Sequence, residues 1–183
     1  MSVAWFTVAT PLPTGAMRVA VTEQGVVAAA FTAREVAGLP SGPELPDPAA
    51  DRRAVAVRDR FAAYFAGSCR DLELPVDWRL TSGPQQAVLR TLHRTVGFGV
   101  TVSYGKLAER SGVFGDTPEE RALAAQAVGS IMGSCPLSLL VPCHRVVAAD
   151  GLGGFGGGPE GMELKRWLLT HEGVLAPTLD WSR

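Results

Sequence analysis

At the start of the chain, apolar residues gather in three short runs: residues 3–9 (VAWFTVA), 17–22 (MRVAVT) and 26–32 (VVAAAFT). The intervening TPLPTG and EQG carry Pro and Gly residues that suit turns, so the pattern predicts three strands in a β-meander. Residues 38–48 (GLPSGPELPDP) read as a Pro-rich loop. From Ala49 to Ala66 the period changes. Val57, Phe61, Tyr64 and Phe65 fall at i, i+4, i+7 and i+8, which predicts a helix stopped at Gly67. Leu72 to Trp78 read as one more extended piece. Residues 1–80 are therefore expected to form a small α+β domain, an antiparallel sheet plus a helix. No chemistry is visible there, because His93, His144 and His171 all lie beyond it.

Residues 81–183 read as a second, mostly helical domain. Val88, Leu92 and Val96 repeat at helical spacing. In VSYGKLAERSG, Ser103 is a good N-cap for a short helix and Gly112 a good stop. In TPEERALAAQAVGSIMG, Thr117 caps, Pro118 takes the first helical position and Glu120 completes a capping box. Two short helices joined by a Gly-containing turn suit a winged-helix-like helix-turn-helix, and equally a helix pair packed in any α-rich domain. At 100° per residue, Leu123, Ala124, Ala127, Val128 and Ile131 form one face of the second helix, which is expected to be buried. The other face holds Ala122, Gln126, Gly129, Ser130 and Gly133. A helical glycine costs about 1 kcal/mol relative to alanine. A face this bare lets the backbone approach a neighbouring helix or a narrow DNA groove, with Gln126 the one group able to reach in.

Composition narrows the picture by exclusion. The 183 residues are 46% hydrophobic and 19% charged, with a formal net charge of −1. That is not the electrostatic footprint of a strongly basic nucleic-acid protein, so any DNA binding must rest on local arginines or on shape. No run reaches membrane-spanning length, and the N-terminus lacks a charged segment followed by a long apolar core. Cys69, Cys135 and Cys143 show no close pairing pattern, which points to reduced thiols in the cytoplasm. Only Cys135, Cys143 and His144 lie near one another in sequence, too few for a structural zinc site, so no metal is expected.

The strongest β-like run, Leu139–Asp150 (LLVPCHRVVAAD), sets Cys143 and His144 side by side after Pro142. A cysteine among Leu139, Leu140, Val141, Val146 and Val147 would ordinarily be inert packing. It becomes a nucleophile only with a base in reach, directly or through one water. Neighbours on an extended chain point to opposite sides, so the pair needs a water link or the turn that Pro142 favours. Further on, DGLGGFGGGPEG matches GxGxxG at Gly151, Gly153 and Gly156. It lacks a helix opening on the third glycine and a later parallel strand, and so reads as a flexible loop.

Taken in order, TVSYGKLA, AAQAVG, VPCHRVV, GFGGG and KRWLLTHEG resemble the O6-alkylguanine-DNA alkyltransferase family over roughly residues 84–173. The resemblance implies a monomer without a cofactor that acts on double-stranded DNA carrying O6-alkylguanine. Such a protein flips the base out of the duplex and moves the alkyl group irreversibly to its own cysteine, here Cys143, once per molecule. It implies further that His144 takes the thiol proton through a water, that Glu172 orients His144, and that Tyr104 donates a proton to the base. Ala125, Gln126, Ala127, Gly129 and Ser130 would meet the minor groove. Arg145 would tie the cysteine loop to the core, and it also stands among the candidate DNA contacts. Phe155, Gly156 and Gly157 would form the substrate loop, Phe155 packing on the guanine or on the loop's own floor.

Two positions depart from the family's pattern. Gln126 stands where an arginine usually enters the base stack, and Cys135 where an asparagine usually precedes the proline. Glutamine keeps hydrogen bonding but loses charge and planar stacking, which implies weaker binding, slower flipping or a different substrate. Cys135 is a packed small hydrophobe or a second redox-active thiol. Two other functions stay open. One is a lesion-binding relative that recognises alkylguanine without repair, although relatives of that kind replace the cysteine. The other is a cysteine hydrolase, which would need an oxyanion hole and a distant histidine.

Overall fold

In the computed structural model, which describes residues 2–31, 38–115, 117–156 and 158–177 and all their side chains except that of Ala122, three antiparallel strands open the chain. These are β1 (Ala4–Val8), β2 (Met17–Thr22) and β3 (Gly25–Phe31), with β2 in the middle. Phe6 lies opposite Val19, and Val19 opposite Ala29. This face packs with Val57 and Phe61 of α1 (Arg52–Phe65) into the main core. On the other face, Trp5, Ala20 and Ala28 are covered by Val3, Leu39 and Leu80. A sheet covered on both sides reads as near-continuous apolar runs, as β3 does from Val26 to Phe31, while β2 is interrupted by the exposed Arg18. The expected strand end at Thr32 lies outside the described residues.

Helix α1 starts later than its periodicity predicts, because a cap decides the boundary. The Asp51 side chain accepts from the backbone N–H groups of Arg53 and Ala54. The extended piece expected over Leu72–Trp78 is reduced to one bridge, Val76 against Val26. Asp77 then caps a short 3₁₀ turn, Trp78–Leu80, and its buried carboxylate accepts from the Thr22 hydroxyl at 2.7 Å.

The second half holds α2 (Gly83–Thr95), β4 (Val102–Ser103), α3 (Tyr104–Ser111), α4 (Pro118–Gly133), β5 (Val146–Val147) and α5 (Gly158–His171). Caps and stops follow the sequence pattern. Ser103 accepts from the Lys106 N–H, Gly112 ends α3 at φ 68°, and Thr117 with Glu120 forms the capping box of α4. Helices α3 and α4 pack on each other as a helix-turn-helix pair. The molecule is of the α+β class, and no helix among the described residues is long and apolar enough to cross a membrane.

The buried face of α4 corrects the expectation. Ala124, Val128 and Met132 are buried, whereas Leu123 is 64% exposed and Ala127 half-exposed. The apolar seam is rotated by roughly 70° from the predicted one, at about 100° per residue. Alanine and glycine on every side of this helix leave its polarity nearly uniform, so packing chose the face that could take Met132.

One joint positions the chemistry. Beyond α4, the Ala29 N–H of β3 donates to the Pro136 carbonyl at 2.8 Å, and the Ser138 N–H donates to the Ala29 carbonyl at 2.9 Å. The segment that leads into Cys143 is thus pinned to the first sheet. A single hydrophobic cluster runs from Phe6 through Leu92 and Leu137 to Leu168.

Candidate active site

The run around Cys143 is not the long strand its composition suggests. Leu139 takes φ 72°, Pro142 takes φ −80° and ψ 63°, and Cys143–Arg145 form a 3₁₀ turn. The Cys143 N–H donates to Val141 O at 2.8 Å, and the Arg145 N–H to Pro142 O at 2.9 Å. Proline cannot donate and locks φ, so extension fails there whatever the β-propensity of the neighbours. Past the turn, β5 pairs in parallel with β4, Val102 with Val146 and Ser103 with Val147. That short ladder brings Tyr104, the next residue after β4, into the neighbourhood of Cys143.

Cys143 is 3% exposed, and the polar groups beside it are buried as well. His144 Nε2 lies 2.8 Å from Glu172 Oε1. Arg145 donates through Nε to Oε2 at 2.9 Å and through Nη2 to Oε1 at 2.9 Å, while its Nη1 reaches Val96 O at 2.8 Å. Tyr64, from the first half of the chain, donates its hydroxyl to Glu172 Oε1 at 2.7 Å. The Gly99 N–H donates to Oε2 at 3.3 Å.

These contacts fix protonation. Burial pushes the Glu172 carboxyl up, but the hydrogen bonds and charges of His144 and Arg145 together outweigh it and hold the group well below the usual carboxylate range. Burial pulls His144 down, and Glu172 opposes this only in part because Arg145 offsets its charge. His144 is therefore neutral near pH 7. An ionised carboxylate only accepts, so the imidazole proton sits on Nε2 and Nδ1 is left as an acceptor. A neutral base directly follows the cysteine in the chain.

A cavity of about 380 Å³ is lined by Tyr104, Ala125, Gly129, Met132, Gly133, Gly154, Phe155 and Gly156. It joins the bare side of α4 to the Gly-rich loop. Tyr104 donates its hydroxyl to Gly154 O at 3.1 Å. Burial, and then the neighbouring Cys143, raises its pKa, so the phenol stays protonated. Gly153 takes φ 68° with the Tyr104 ring and the Ala148 backbone pressed against it, a place for glycine only. Under the loop, the fully buried Lys165 donates to the carbonyls of Val146 (2.7 Å), Leu152 (2.5 Å) and Gly154 (3.3 Å). Burial pushes its pKa down to about 8.

A family model described as 6-O-methylguanine DNA methyltransferase, DNA binding domain, matches residues 83–174. The chain belongs to this methyltransferase family. It is 41% identical over 169 residues to the DNA base-flipping protein of Thermus thermophilus, covering 90% of this chain and 98% of that one. It is also 41% identical over 133 residues to the methylated-DNA–protein-cysteine methyltransferase of Mycobacterium bovis, covering 72% and 71%. Among solved structures, Mycobacterium tuberculosis OGT in complex with DNA matches with a TM-score of 0.74 at 30% identity, covering 93% of this chain and 94% of that one.

Within this methyltransferase fold, His144, next in the chain to Cys143, meets Glu172, and Tyr104 lines the cavity. On α4, Gln126 and Ser130 are exposed and Ala125, Ala127 and Gly129 half-buried. Contrary to its place among the expected DNA contacts, Arg145 does not face outward: its guanidinium is buried, bonded to Glu172 and Val96, and ties the loop to the core. Phe155 lies on the loop's floor, edge-on to Phe31 of β3 with ring centres 6.1 Å apart. Gly156 borders the cavity, and Gly157 lies outside the described residues. Cys135 is fully buried in the main core. His171 is half-buried and stacks on Trp167 with ring centres 5.3 Å apart.

Sequence reasoning missed two participants. Lys165 left a signal: it stands at i−3 and i−4 from Leu168 and Leu169, on the buried side of α5, where an unpaired charge is costly. Tyr64 left none. Its spacing fits a core stripe, and its partner lies 108 residues away.

Proposed function

We propose that this protein repairs DNA by moving a methyl or other alkyl group from O6 of guanine to the sulfur of Cys143. The alkylated base is flipped into the cavity between α4 and the Gly-rich loop, at a cost of a few kcal/mol of unstacking. Nδ1 of His144 takes the thiol proton through a water, and Glu172 stabilises the imidazolium. The sulfur–carbon bond forms as the carbon–O6 bond breaks, and the bonding pair leaves with guanine. Tyr104 exchanges its bond to Gly154 for the base and donates a proton to it; the proton held by His144 balances the phenolate left behind. The thioether has no route back, so each molecule acts once, as a monomer in the cytoplasm. α4 meets the minor groove through Ala125, Gln126, Ala127, Gly129 and Ser130, which suits a chain of formal charge −1.

The observation that carries this reading is the buried His144–Glu172 pair, locked so that the base next to Cys143 is neutral. A second reading, base flipping without transfer, is favoured by the name of the Thermus thermophilus relative and by Gln126. The retained cysteine argues for transfer. One experiment separates the two: incubate the protein with duplex DNA carrying O6-methylguanine, digest it, and weigh the Cys143 peptide. One added methyl per protein, absent in Cys143→Ser, supports repair. Binding with no added mass supports flipping alone, and lesion loss with Cys143→Ser overturns the transfer reading.

A further inference from the structure

Glu172 Oε1 accepts from both halves of the chain, from His144 Nε2 at 2.8 Å and the Tyr64 hydroxyl at 2.7 Å, beside Arg145 Nη2 at 2.9 Å. We propose that Tyr64 is a positioning residue that sets the basicity of His144 by sharing the carboxylate oxygen on which His144 depends. The proposal rests on the transfer reading for its place in the reaction, but not for its physical content.

The argument begins with the carboxylate. Its two oxygens already accept from Arg145 and from the Gly99 N–H. Each donor draws charge from Glu172 and leaves less for an imidazolium at Nε2. Arg145 is a fixed cation. Tyr64 is a neutral donor, and burial followed by the charge of Glu172 raises its pKa, so the phenol stays protonated from pH 5 to 8. Its ring is held by α1 and by edge contacts with Phe98 and His171, at 6.0 and 5.1 Å between centres. The hydroxyl therefore cannot follow Oε1 if the carboxylate turns. The first half of the chain, to which Tyr64 belongs, thereby enters the proton relay.

The charged and titratable groups that face His144 are Glu172, Arg145 and Lys165, with Cys143 adjacent in the chain; those that face Tyr64 are Glu172, Arg145 and His171. Of these, Lys165 titrates near 8, clear of the acid range in which His144 protonates.

The test uses the full chain and Tyr64→Phe, which keeps the ring contacts and removes only the donor. The His144 pKa is read by NMR of ring-labelled histidine, and the rate of methyl transfer from O6-methylguanine duplex is read from pH 5 to 8. The expected result is a rise in the His144 pKa of about half a pH unit or more, with the acid limb of the rate profile moving up by the same amount. A Tyr104→Phe chain carrying 3-fluorotyrosine, in which Tyr64 is a stronger donor, should move the NMR pKa the opposite way. A residue that merely holds the fold would lower the melting temperature and leave the pKa in place. An unchanged or lowered pKa in Tyr64→Phe overturns the proposal. If the wild type transfers no methyl, the repair reading fails while the NMR arm still decides this one.

Discussion

The Lys165 ammonium lies 2.7 Å from the carbonyl oxygen of Val146, three residues past Cys143. From that single nitrogen the cysteine turn and the Gly-rich loop are tied together, since Leu152 and Gly154 share the same donor. Lys165→Met removes all three bonds and leaves the carbonyls without this partner. The expected cost is about 2–4 kcal/mol, somewhat offset by the charge no longer buried. Urea unfolding checks the stability, and hydrogen exchange should speed up across residues 147–156. Unchanged stability and exchange would mean that the loop holds itself.

Glu172 and Arg145 form a buried ion pair, 2.9 Å between Arg145 Nε and Oε2. Glu172→Gln leaves the guanidinium without a counter-charge, which is expected to cost about 3–5 kcal/mol. The double variant Glu172→Gln with Arg145→Met should recover part of that loss, because no unpaired charge remains. Denaturation of both singles and the double completes the cycle. If the double is as unstable as the sum of the singles, the two do not act as a pair.

Acid should weaken the fold in two stages. The folded pKa of His144 lies below its ordinary 6.5, so below that pH the unfolded chain binds a proton that the folded one refuses, and stability falls. Glu172 is also depressed; its contribution is present above the ordinary value of 4.5 and is lost as pH drops further. Unfolding midpoints measured at pH 8, 6, 5 and 4 should decline from just below neutrality and more steeply under pH 5. A midpoint that climbs on acidification would contradict the assigned protonation states.

Gln126 is exposed on the outward side of α4. Gln126→Arg is expected to change stability by no more than about 0.5 kcal/mol. It should tighten binding to lesion-bearing duplex and steepen the dependence of log Kd on log salt by about one unit. Anisotropy titrations over a range of salt read both quantities, and 2-aminopurine fluorescence reads flipping. An identical salt slope would show that the position does not approach the phosphates.

Local order was legible in the sequence because it depends on nearest neighbours. Turn residues marked the meander, Thr117 and Glu120 marked the start of α4, and the motif from Tyr104 to Glu172 pointed to the family. Composition alone could not orient α4: with Ala and Gly around the helix, the side that receives Leu123 or Met132 is settled by volume in the surrounding core. Nor could β-propensity foresee the turn at Cys143, where Pro142 and the pinned segment at Pro136–Ser138 impose the backbone. Only the tertiary structure joined Tyr64 to Glu172 and buried Arg145 and Lys165. A hydrogen bond between residues 108 apart, or a charge matched to three loop carbonyls, leaves no periodic trace in the chain. It exists only once burial has stripped away the water that would otherwise satisfy those groups.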